Sequence, residues 1–110
     1  MMKLAMSTAA AGLLRALLAR AGVDRNRILL SDFRSIDWNS LTFAGERHEI
    51  TLRVPGPNAI TVVALLIEGL EDADFSIPGQ IVADITLAKP PVDQRDGSIV
   101  IEIEALTVAE

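Results

Sequence analysis

The residues of this chain best suited to chemistry are few and lie close together. Its only histidine, His48, and its only tryptophan, Trp38, share the stretch DWNSLTFAGERHEI at residues 37–50. An imidazole with an ordinary pKa of about 6.5 can act as a general acid or base near neutrality. It needs a carboxylate to orient it, and Asp37 is the candidate partner, provided a slip in the chain turns it towards His48. Glu49 points to the opposite face of the strand, and Glu46 falls in a turn. His48 and Asp37 are therefore the candidate catalytic pair, and Trp38 and His48 the candidate binding residues. The competing reading makes His48 a hydrogen-bonded core residue and Trp38 a core aromatic rather than a surface hot spot.

Other chemistries find little material. No nucleophile elbow and no second histidine support an acyl-transfer triad, and tyrosine is absent. With one histidine and no cysteine, a zinc site would need mostly carboxylates. The segment DADFSI at 72–77 begins like a calcium loop. However, Ile77 and Ala83 stand where that loop requires glycine and glutamate. No glycine-rich loop has phosphate-binding spacing. The helix start after VPGPNA offers only the generic affinity of helix N-termini for anions. No metal and no cofactor are expected, and the sequence names no small-molecule ligand.

These residues must be held by elements that the apolar pattern lays out. Leu13, Leu14, Leu17, Leu18 and Ala21 recur at helical spacing after a Ser7 or Thr8 cap, and Gly22 stops the run, so a helix is predicted over 8–21. Residues 27–43 are β-like but change phase, which predicts interruptions near Arg34–Ser35 and Asn39–Ser40. A two-residue Gly45-Glu46 turn would then pair Ala44 with Arg47 and set Phe43 opposite His48. His48, Ile50, Leu52 and Val54 share the inward face of the next strand. Asn58 and Gly69 bracket a second helix at about 58–68, apolar around most of its circumference. Ile81, Ala83, Ile85 and Leu87 are read as the inner face of a third strand. KPPVDQRDG reads as a loop, and Ile99, Ile101 and Ile103 line a last strand.

The order α-β-β-α-β-β predicts an α+β two-layer sandwich. Its sheet is mainly antiparallel and four-stranded with two helices on one face, an order equal to a permuted ferredoxin-like arrangement. The 110 residues make one domain, large enough to bury roughly two thirds of its unfolded surface. Residues 1–6 are expected to be disordered. LLARAGVDRNRI and LLIEGLEDADFSI suggest an αββ pseudo-repeat, 7–54 and 58–108, with two independent helix stops as the alternative.

The net charge of −5 disfavours nucleic acid. Residues 1–55 hold eight Lys/Arg and five Asp/Glu, and residues 56–110 hold two and ten. This asymmetry suits either contacts within one fold or self-association. The absence of cysteine fits the cytoplasm. The opening apolar run is broken by Ser7, Thr8 and Gly12 and is too short to span a bilayer. It reads as a structural helix, although its basic, acid-free character would also suit a transit peptide. The expected function is a non-enzymatic binding or self-associating module, a homo-oligomer with no membrane or nucleic-acid partner. A small enzyme using His48 with Asp37 is the alternative.

Overall fold

The computed structural model describes residues 6–110, apart from the Arg25 side chain. The predicted disorder of residues 1–6 therefore falls, except for Met6, outside the described residues. Helix α1 spans Thr8–Ala21. The Ser7 hydroxyl accepts from the Ala10 N–H at 3.0 Å, and Gly22 adopts φ 65° as the left-handed cap. Strands β1 (Leu29–Asn39) and β2 (Ala44–Val54) form a hairpin. After α2 (Ala59–Ile67) follow β3 (Gln80–Leu87), the two-residue β4 (Val92–Asp93) and β5 (Ile99–Ala109).

The sheet runs β1-β2-β5-β3, with β4 also on β5, and every pairing is antiparallel. β2 and β3 are therefore parallel to each other, joined through α2, with β5 between them. This is the split crossover of the ferredoxin-like arrangement. Its second crossover would join the end of β5 to the start of α1, where the permuted order opens. Both helices cover the face that carries Ile50, Leu52 and Val54 of β2 and Ile99, Ile101 and Ile103 of β5. Leu13, Leu17, Val62, Val63 and Leu66 complete that core. Arg20 ties the helices together, its Nε donating to the Leu66 carbonyl at 3.1 Å and its guanidinium also to that of Glu68.

Several local expectations are corrected. The predicted interruption at Arg34–Ser35 is absent, and β1 pairs without a break from Asp32 to Asn39. The single irregularity lies at Ser31, between Leu30 and Asp32. The break at Asn39–Ser40 is the hairpin turn itself, where the Ser40 N–H donates to the Phe43 carbonyl at 2.8 Å. Gly45 and Glu46 are strand residues, and His48 lies opposite Ser35 rather than Phe43. A second irregularity, at Ala83, reverses the phase of β3. Ile85 and Leu87 stay on the helix-covered face, whereas Ile81 pairs with Val108 on the other. The proline-rich segment does contribute a strand, the short β4. At α2 the Asn58 side chain makes no cap bond, and the residue sits at φ 69°.

Candidate functional site

Strand alternation sends His48 inward, as its phase with Ile50, Leu52 and Val54 requires, and only 1 % of it is exposed. A buried imidazole needs a partner for each ring nitrogen. Ser35 Oγ lies 2.8 Å from Nδ1, and Thr107 Oγ1 lies 2.8 Å from Nε2. The ring thus links β1, β2 and β5. A neutral imidazole has one donor and one acceptor, so one hydroxyl donates to it and the other accepts from it. Among the described residues no buried side-chain polar atom is left without a partner.

A serine hydroxyl on a histidine superficially resembles a nucleophile and its base. Three observations turn that resemblance aside. The ring is oriented by a threonine hydroxyl, which cannot balance the imidazolium that acyl transfer would form. Met6, Ala10, Leu14, Leu30, Phe33 and Ile50 close over the group, leaving no space even for a water molecule. Burial also lowers the His48 pKa, against an opposing pull from the Glu46 carboxylate, so the ring is held neutral.

Asp37 lies two pairs further along β1 than Ser35, opposite Glu46, and is exposed. The carboxylate that His48 senses is Glu46. Glu46 is half-buried rather than free in a turn, and its Oε1 accepts from the Ser7 hydroxyl at 2.6 Å. The α1 cap is thereby fastened to β2. With both ring nitrogens of His48 held by hydroxyls, Asp37 has no place as its orienting acid. Ser35 and Thr107 were not legible as partners. Serine and threonine in strands carry no signal until the pairing of strands is known.

Trp38 is half-buried and lies on the face that no described helix covers. There Trp38, Gly45, Val108 and Ile81 occupy one row across β1, β2, β5 and β3. The next row is Ile36, Arg47, Leu106 and Asp84. Gly45 is needed for close approach rather than for a turn. A Cβ on it would lie 2.1 Å from the Thr107 carbonyl oxygen. No side chain therefore stands between Trp38 and Val108, and Val108 is buried although no helix covers it. Leu41 and Phe43, both fully or largely exposed, extend this apolar end of the sheet at the hairpin turn. Further along the same face the residues are charged. They include the ion pairs Arg53–Asp96 at 2.5 Å and Lys89–Glu102 at 2.8 Å.

Among the described residues no cluster of three or more His, Asp or Glu side chains is placed to hold a metal. Likewise no described helix is long and apolar enough to cross a membrane. The chain matches no protein-family model, no curated protein and no solved structure. The class defined by fold and surface is a small α+β domain with one bare sheet face, apolar at its hairpin end.

Proposed function

We propose that this domain is a non-enzymatic interaction module that associates with itself, working in the cytoplasm without nucleic acid. The observation that carries this reading is the apolar end of the uncovered sheet face. Ile36, Trp38, Leu106 and Ile81 gather there around the buried Val108, and Leu41 and Phe43 lie beyond them at the turn. Monomers seldom leave large contiguous apolar patches bare, and aromatic residues at the centre of such patches supply much of an interface's affinity. Support also comes from α2, which leaves Ile60 and Leu65 exposed. The enzyme alternative has no comparable support, because the histidine is sealed and satisfied. Light scattering and sedimentation over a micromolar concentration series test the proposal. A dimer or higher oligomer is expected, and a strict monomer at the highest concentration sinks it.

A further inference from the structure

We propose that the partner is a second copy of this chain, joined by antiparallel pairing of β1 with β1 about a two-fold axis through Ile36. This rests on the self-association reading and specifies its surface.

The two edges of the sheet differ in kind. At one edge β3 is irregular at Ala83, β4 has only two residues, and Lys89, Pro90 and Pro91 lie between them. Short strands, bulges, lysine and proline are the features that keep an edge from recruiting another strand. At the other edge, among the described residues, β1 pairs only with β2. From Asp32 to Asn39 it is regular and contains neither proline nor lysine. Its outer backbone N–H and C=O groups are a template for one more strand. Among the described residues nine large apolar side chains are exposed, and five of them (Leu29, Leu30, Ile36, Leu41 and Phe43) belong to β1 or its turn. Exposed apolar surface is thus concentrated on the unguarded edge.

Helix α1 extends that flank. Its Arg20 reaches α2, and Gly12 packs on Ile77, so one side of the helix faces the rest of the fold. Leu14 and Leu18 lie on the other side of its buried stripe, and Leu14 stands over Leu30 and Phe33 of β1. Together with Met6, Ala11 and Val23 they line an open depression along α1.

Charge and strand regularity together select the register: centring on Phe33 would match Asp32 to Arg34 but would lay the irregular Ser31 against Ser35. A two-fold pairing sets residue i against a residue of the same face on the other copy. Centring on Arg34 would oppose two arginines, and centring on Asp37 would oppose two aspartates. Centring on Ser35 would set Asp37 against Phe33. Centring on Ile36 opposes Ile36 to itself, Arg34 to Trp38 and Ser35 to Asp37, each of the last two twice. Those are apolar, cation–π and hydrogen-bonding matches respectively. Among the described residues Asp32, Arg34 and Asp37 form no ion pair within the monomer. That register also uses the regular part of β1 and avoids the irregularity at Ser31.

The test exploits a chain without cysteine. Directly opposed strand residues have Cα atoms about 4.5–5.5 Å apart, within disulfide range. Under mild oxidation the Ile36→Cys variant should form a covalent dimer at least about tenfold faster than Ile81→Cys or Ile60→Cys, because pairing holds the two thiols at high effective concentration. Ile36→Lys, which opposes like charges at an exposed position, should weaken dimerisation about tenfold or more without altering the circular dichroism spectrum. If the protein dimerises but Ile81→Cys or Ile60→Cys cross-links as fast, or Ile36→Lys leaves the dimer intact, the β1 pairing is overturned while self-association stands. A strict monomer overturns both and leaves the edge to a strand from a different protein.

Discussion

Acidification should destabilise this domain through His48, in a way that one substitution removes. In the unfolded chain the imidazole titrates near 6.5, and in the fold burial lowers that value. Between the folded and unfolded pKa values, the unfolded state therefore binds more protons. Stability then rises with pH across that window, and it falls as pH drops below about 6.5. The slope contributed by one group approaches at most about 1.4 kcal/mol per pH unit. Protonation also makes both ring nitrogens donors, so the hydroxyl that donates to the neutral ring must rotate and lose its acceptor. His48→Gln removes the titration and keeps one donor and one acceptor. A side-chain amide that satisfies only one of Ser35 and Thr107 leaves the other unpaired, at about 1–3 kcal/mol. Urea denaturation of both proteins, followed by Trp38 fluorescence and circular dichroism at one fixed protein concentration, measures the difference from pH 7.5 to 5. The variant should be less stable at pH 7.5, and the gap should narrow as the wild type loses stability on acidification. Parallel loss in the two proteins would refute the buried neutral histidine.

Gly45→Ala places a methyl group 2.1 Å from the Thr107 carbonyl oxygen. Because backbone rather than a flexible side chain must give way, the substitution should destabilise by about 2 kcal/mol or more in the same assay. A loss below the measurement error would show that β2 and β5 are not so closely apposed. Bonds from the Ser98 hydroxyl and backbone N–H, with a further one from Arg53, hold the Asp96 carboxyl at a pKa of about 2. Stability linked to it is present above the ordinary carboxylate pKa and is lost as pH falls towards 2. A carbon-13 NMR titration should place its midpoint well below the ordinary carboxylate value. Ser98→Ala should move that midpoint upward.

The predicted α1 matches the observed helix from Thr8 to Ala21, because its signals are local. A repeat near 3.6 residues, a hydroxyl cap and a terminal glycine each act within a few residues. The inward turn of His48 was equally legible from the period-two pattern of β2. The same logic failed at Ile81 and at residues 27–43. An extra residue at Ala83 or Ser31 changes the phase of everything beyond it, and only the neighbouring strand reveals where that residue lies. A tight turn at Gly45 would set Phe43 opposite His48, whereas Gly45 answers instead to a carbonyl on β5.

By itself the sequence determined the two helices and the four longer strands, their order and the two-layer class, but not the short β4, because hydrophobic periodicity and terminal caps are set by adjacent residues. It also determined that His48 is buried, since alternation along one strand requires nothing from the others. The tertiary structure alone decided that Ser35 and Thr107 hold the ring, the latter 59 residues away in sequence. It alone carried Trp38 out of the core to the uncovered face and left β1 as the unguarded edge. Those outcomes depend on which strands become neighbours and in what register. Packing of the whole chain fixes that choice, because a shift of one residue would turn every side chain of a strand to its other face.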